Sequence, residues 1–287
     1  MDKFDKYNND IFKIIFDNLE QYNKKYIIRN RKFNFIKLFS FLIYLIVGDN
    51  LSYTSLTSQI LFEHDIDLSK SAINKKRLKF NLSCIDKINN DLTVYINDKL
   101  KLTPHHNNLS PDRGFGRMIA VDGSKLILDQ KFSQSGYKSI NDRYCHALLS
   151  GLFDIENNIS IDYSLFNHSD ERNALISQLD KVNQNDALCM DGGYYSDPFI
   201  KKLIDLNIHF IFRIKHNLKI IRNQFKKNNN CCYIYHNNLK LKVIRYYVGK
   251  IRYFILTDLI NHKNDKLKEY YKNRWKIETQ FRYATTT

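Results

Sequence analysis

From Arg117 to Lys215 the chain alternates apolar runs with turn formers in an order that few folds accommodate. "RMIAVDGSKLIL", "HALLSGLFDI" and "ISIDYSLFN" read as three strands, and "ENN" between the last two is a hairpin signal. "SDERNALISQLDKV" follows as a helix, with Ser169 or Asp170 placed to cap its first turn. "DALCMDGGYYS" is a short apolar strand ending at Asp191, "DPFIKKLIDLN" is a helix with Pro198 in its first turn, and "IHFIFRIK" is another strand. Strands joined by short turns pair antiparallel, whereas strands separated by helices pair in parallel through crossovers. The expected fold class is therefore α/β, with a mixed sheet.

That order matches an RNase H-like sheet, an antiparallel meander followed by parallel crossovers. In such a sheet the first and fourth of these strands are neighbours, which sets Asp122 beside Asp191. Both aspartates occupy apolar strands, where a carboxylate is disfavoured unless it is paired or bound to a metal. Each is followed by glycine, which allows close approach by a ligand. Taken singly, each "DG" is equally a strand-ending turn. Taken together they suggest a site, because two adjacent carboxylates repel unless cations neutralise them. Mg²⁺ prefers a few carboxylates plus substrate phosphate oxygens. Glu278, on the helix after the basic segment, would be a third ligand, completing a layout for two-metal phosphoryl transfer.

Residues 1–103 read as helical. "IFKIIFDNLEQY" spaces Ile11, Ile14, Ile15 and Leu19 at helical intervals, and "DLSKSAINKKRLKF" opens on a Ser/Asp start signal before a basic stretch. That stretch is either a solvated helix face or part of a DNA-contacting helical domain. "LTPHHNNLSPDRGFGR" at 102–117 is the linker candidate. The longest apolar run, "LFSFLIYLIV" at 38–47, is too short to span a bilayer and reads as a buried helix, so no membrane partner is expected. Five cysteines without CxxC pairs argue against a zinc ribbon or a disulfide scaffold and fit a reducing cytosol.

A formal charge of +15 favours polyanionic partners. The charge is concentrated: Leu206 to Thr257 holds eleven Lys and Arg, interleaved aromatics, and no Asp or Glu. "LKVIRYYVGKIRYFILT" within it looks like a hairpin turning at Gly249-Lys250. A phosphate-facing surface explains the exclusion of carboxylates better than a guarded sheet edge does. Lys215, Arg245 and Arg252 are its candidate phosphate contacts.

With these residues in view, the sequence resembles the DDE transposases of the insertion-sequence-4 type. Their hallmark is Tyr, two residues, Arg, three residues, Glu, six residues, Lys; Tyr271, Arg274 and Glu278 fit it. "AVDGSKL" is similar to the family's first-aspartate strand and "MDGGYYS" to its second, and a β-rich insertion at about 216–260 is a family feature. The resemblance implies a helical N-terminal DNA-binding domain at 1–103 and an RNase H-like catalytic core at 117–287. It implies Asp122, Asp191 and Glu278 as catalytic ligands of two Mg²⁺ ions, with Mn²⁺ able to substitute, and Arg274 and Tyr271 on a DNA phosphate. The implied partners are double-stranded DNA, as terminal inverted repeats and target, and a second copy as a dimer on DNA. The implied setting is a bacterial cytoplasm, associated with the nucleoid. Thr285 stands where the family has its lysine, and the chain stops two residues later, so the resemblance is to an apparently truncated member. Two other readings share these features: an inactive remnant that only binds DNA, and a host RNase H-like nuclease.

Overall fold

The computed structural model describes residues 3–26, 34–47, 69–77, 83–101, 114–214, 225, 230–236 and 238–285. Most of the linker candidate (102–113) and Lys215 lie outside the described residues. The chain divides into two compact units, Met1–Thr103 and Pro104–Thr287.

The first unit is helical where described: α1 (Lys3–Tyr26), α2 (Phe35–Val47), α3 (Lys70–Arg77) and α4 (Ser83–Lys101). The periodic apolar face of α1 buries Leu19 against Cys84 and Ile88 of α4, with Ile15, Tyr22, Ile36, Phe39 and Leu92 around them. Polar pairs fix the α1–α4 register: Asn18 donates to Asp91 at 2.8 Å and Tyr95 to Asp10 at 2.8 Å. Asn34 and Ser69 accept from backbone amides in the first turns of α2 and α3, as expected of N-cap residues. Among the described residues no helix is long and apolar enough to cross a membrane.

The second unit is built on one nine-stranded sheet. Its strands are β1 (Met118–Asp129), β2 (Lys138–Ser139), β3 (Tyr144–Asp154), β4 (Ile159–Phe166), β5 (Ala187–Met190), β6 (His209–Ile214), β7 (Cys231–His236), β8 (Leu239–Val248) and β9 (Ile251–Thr257). The order is β2-β3-β1-β5-β6-β9-β8-β7, with β4 also paired to β3. Strands β1, β3 and β4 form the antiparallel meander, and β1, β5 and β6 run parallel. The sub-order β4-β3-β1-β5-β6 is that of an RNase H-like core. Strands β7 to β9 do not stand apart from it. They continue the same sheet, because β9 pairs antiparallel with β6 (Ile211 against Thr257). Gly249 takes a φ of 58° in the β8–β9 turn, a conformation that suits glycine.

Among the described residues four α-helices complete the unit: α5 (Glu171–Gln178), α6 (Asp197–Asp205), α7 (Asn264–Asn273) and α8 (Lys276–Thr285). Asp170 caps α5 by accepting from the amides of Arg172 and Asn173, and Ser196 caps α6. The period of two along each strand sorts its side chains between two cores. Ile119, Val121, Leu188, Met190, Phe210 and Phe212 pack with Leu175 of α5 and Phe199, Ile200 and Leu203 of α6. Met118, Ala120, Ala187, Cys189 and Ile211 pack with Leu267, Tyr270 and Tyr271 of α7 and Ile277 and Phe281 of α8. Every strand position is thereby assigned a face before any polar residue is considered.

Candidate active site

Alternation decides where the two aspartates point. Met118 and Ala120 face α7 and α8, so Asp122 does too; Ala187 and Cys189 face the same way, so Asp191 does as well. Ala120 pairs with Cys189, and two residues further along these parallel strands Asp122 and Asp191 come level. β5 ends one residue before Asp191, which leaves that carboxylate at the strand end rather than in the ladder. There it accepts from the amide of Gly193 at 2.5 Å.

The helix expected around Glu278 is two helices, broken at Arg274 and Trp275. Arg274 nonetheless donates to Glu278 at 3.0 Å, and its other amino group lies 3.4 Å from Asp122. An Arg/Glu pair one turn apart often lies on the surface, where it contributes little. Here Arg274 is only 5% exposed, so its charge is committed to the interior side of the helix pair. The Tyr271 ring lies 5.9 Å from the guanidinium, and its hydroxyl is buried with no hydrogen-bond partner among the described residues. Nε and Nη1 of Arg274 are likewise buried without a hydrogen bond. Gly151, paired with Asp122 across β1 and β3, lets α8 approach: a Cβ there would sit 3.0 Å from Phe281 and 2.7 Å from Tyr163.

The electrostatics follow from this packing. Burial pushes the Asp122 carboxyl above its ordinary value; Arg274 and the Gly123 amide oppose the shift, while Glu278 and Asp191 add to it. Burial works against the Arg274 charge, but Tyr271, Asp122, Cys189 and Glu278 together outweigh it and hold the guanidinium firmly protonated. Burial raises the Tyr271 phenol well above the usual range, and the nearby charges of Arg274 and Arg213 oppose that shift without overcoming it.

Two charged residues at this end of the sheet escaped the sequence reading. Arg213 of β6 lies 3.3 Å from Asp191. The signal was a lone arginine in the apolar "IFRI" of a parallel neighbour: Met190 pairs with Phe212, so the next positions are Asp191 and Arg213. Glu171, the first residue of α5, sits over Gly123, where an added Cβ would be 2.8 Å from its Cγ. The space beside the glycines is thus filled by protein atoms. Glu171 and Leu148 crowd Gly123, and the Arg213 carbonyl lies 2.9 Å from a Cβ at Gly192. Arg245 and Arg252 lie over the rings of Phe225 and Phe254 and make no ion pair with these carboxylates. Lys215 is outside the described residues.

Among the described residues no three His, Cys, Asp or Glu side chains converge closely enough to hold a metal ion ready-made. The donor set still suits a hard divalent cation. Asp122, Asp191 and Glu278 offer carboxylate oxygens alone, and the burial that chiefly raises Asp122, with the smaller push from Glu278 and Asp191, is what an added cation would offset.

Residues 113–287 match the family described as "Transposase DDE domain". No curated protein matches the sequence. Among solved structures the chain is similar to one titled "Cryo-EM structure of piggyBac transposase synaptic complex with hairpin DNA (SNHP)". The likeness has 11% identity and a TM-score of 0.49, over 96% of this chain and 66% of the length of that one.

Proposed function

The chain belongs, across residues 113–287, to the family of transposase DDE domains, and from that premise we propose that it is an insertion-sequence transposase that cuts and rejoins DNA strands. The observation that carries the reading is Arg274 set between Asp122 and Glu278, with Asp191 level with Asp122 on the next strand. The Tyr271, Arg274 and Glu278 spacing supports the insertion-sequence-4 type.

In this reading Asp122, Asp191 and Glu278 would hold two Mg²⁺ ions. Such ions, when bound, lower the pKa of an attacking oxygen and stabilise the leaving 3′ oxygen. The residues themselves set the stage. β1 and β5 set the two aspartates on one face, and Arg274 links Glu278 of α8 to Asp122. Nε of Arg274 and the Tyr271 hydroxyl, buried with no hydrogen-bond partner among the described residues, are the donors this reading assigns to a non-bridging phosphate oxygen. Water breaks the phosphodiester at the element's end and leaves a 3′-OH. That hydroxyl then attacks a target phosphodiester, forming one P–O bond as another breaks, with no covalent protein intermediate. The N-terminal helices, through Lys75, Lys76 and Arg77 at the end of α3, contact the terminal repeats, and two copies hold two ends.

The test is the purified chain with Mg²⁺ and linear duplexes carrying the sequence that flanks its reading frame. Strand cleavage is expected, with loss in Asp122→Asn, Asp191→Asn and Glu278→Gln. Cleavage that survives all three substitutions would sink the assignment.

A further inference from the structure

Glu171 has no role in the three-carboxylate scheme, yet the fold holds it firmly at the same place. Gly123 and Ser150 pair across β1 and β3 and share a sheet face. Ser150 donates to Gln178 of α5 at 2.6 Å, and Gln178 donates to Asp162 at 2.6 Å and to the Ser150 carbonyl at 3.3 Å. Glu171 lies two helical turns before Gln178, on the same side of α5, so this buried network aims it at Gly123. The other end of α5 is tied down by Arg172, which donates to the carbonyls of Gly193, Tyr194 and Tyr195 at 2.8, 3.0 and 3.3 Å. Those residues form the loop directly after Asp191. A Cβ at Gly193 would lie 3.2 Å from Asp191 and 3.9 Å from the Glu171 carboxylate.

Helix capping does not account for Glu171, because Asp170 already accepts from the first free amides. The Glu171 carboxylate makes no hydrogen bond or ion pair among the described residues, although it is half-buried. Burial first, then the like charges of Asp122, Asp191 and Asp170, push the Glu171 carboxyl up, and Lys125 opposes the shift without overcoming it, so a further cation there would be stabilising. An independent feature marks the same point. The Tyr194 side chain is fully buried, and its hydroxyl has no hydrogen-bond partner among the described residues. After burial, the charge that bears most on that phenol is Glu171, followed by Asp122 and Asp191. A buried hydroxyl is ordinarily satisfied, and an oxygen in the ligand shell of an ion would satisfy this one.

We propose that Glu171 is a fourth carboxylate of the active site, supplying an oxygen ligand beside Asp122 and Asp191 to a divalent cation. The inference rests on the transposase reading above. It assigns the two glycines as the space Glu171 needs to come around the end of β5.

Mn²⁺ titrated calorimetrically into the full chain, as wild type, Glu171→Gln and Glu278→Gln, tests it without relying on turnover. Glu171→Gln should bind Mn²⁺ at least ~10-fold more weakly. Its metal-free melting temperature should hold or rise, since a like charge is removed. A helix-dipole role would instead lower the melting temperature and leave affinity unchanged. Equal affinity for Glu171→Gln, with loss in Glu278→Gln, overturns this proposal and spares the transposase reading. Absence of saturable binding by the wild type overturns this proposal, and the cleavage assay above decides the transposase reading separately. Where Glu171→Gln melts early, Glu171→Asp keeps the charge on a shorter stem, and wild-type affinity there counts equally against the proposal.

Discussion

Arg274 lies 3.4 Å from Asp122 and joins the first strand of the sheet to the helix pair at its other end in sequence. The same guanidinium donates to Glu278, so one cation neutralises two carboxylates. Removing one partner of a buried ionic group leaves the rest uncompensated, at a cost of about 3–5 kcal/mol. Arg274→Ala should therefore lose that much stability in urea unfolding. Arg274→Lys should recover part of it, because an ammonium cannot serve both carboxylates as a planar fork does. Equal stability of wild type and Arg274→Ala would mean that the contact is not held in solution.

Gly151 controls how closely α8 docks beside Asp122. A methyl group there would meet Tyr163 at 2.7 Å and Phe281 at 3.0 Å, and both rings are large. Gly151→Ala should cost about 1–3 kcal/mol through overpacking. Because Phe281 and Glu278 share α8, DNA cleavage should fall further than the lost stability explains. Cleavage measured well below the melting temperature separates the two effects.

The parts of this site legible in sequence are those governed by short-range rules. The period of two placed Asp122 and Asp191 in apolar strands, and the strand and helix order made those strands neighbours. Glu278 was legible only through its spacing from Tyr271 and Arg274. The break at Arg274 and Trp275 was not legible, since nothing in "YKNRWKIE" marks it within the helix expected around Glu278. Glu171 was illegible because an acid at the first position of a helix is commonplace, and only the Ser150–Gln178 network reveals where it points. The docking of β9 on β6 was also hidden. Antiparallel pairing between Ile211 and Thr257 depends on long-range register, which the hairpin signal at Gly249 does not carry.

The base of the central strands depends on a second buried pair. Asp186 accepts from the Arg117 guanidinium at 2.6 and 3.1 Å and from the backbone amides of Arg117 and Asn183 at 2.9 Å each. These contacts join the start of β1 to the start of β5, the two strands that carry the aspartates. Asp186→Ala should destabilise the second unit by about 1–3 kcal/mol, because it leaves the amides of Arg117 and Asn183 without an acceptor and the Arg117 guanidinium with only its bond to the Lys181 carbonyl. Mild temperatures should leave DNA cleavage intact, since the site lies at the opposite ends of these strands. Loss of cleavage in protein that remains fully folded would contradict that separation.

The pair of His209 and Asp258 should give the fold a measurable pH dependence. Nδ1 of His209 lies 2.6 Å from one Asp258 oxygen, and the other oxygen accepts from the Phe210 amide at 2.9 Å. The hydrogen bond to Asp258 raises the imidazole above its ordinary value of 6.5, burial opposes the shift, and the Asp258 charge adds to it. A raised folded-state value means that the folded chain binds this proton more tightly than the unfolded chain. Its stabilising contribution is complete below about pH 6.5 and is lost as pH rises through the higher folded value. Melting temperature should therefore decline across that window. Subtracting the profile of His209→Asn isolates this pair from the chain's other histidines. The wild type should show the steeper decline with rising pH, and a difference profile that is flat, or that rises with pH, would show that Asp258 does not hold the proton on His209.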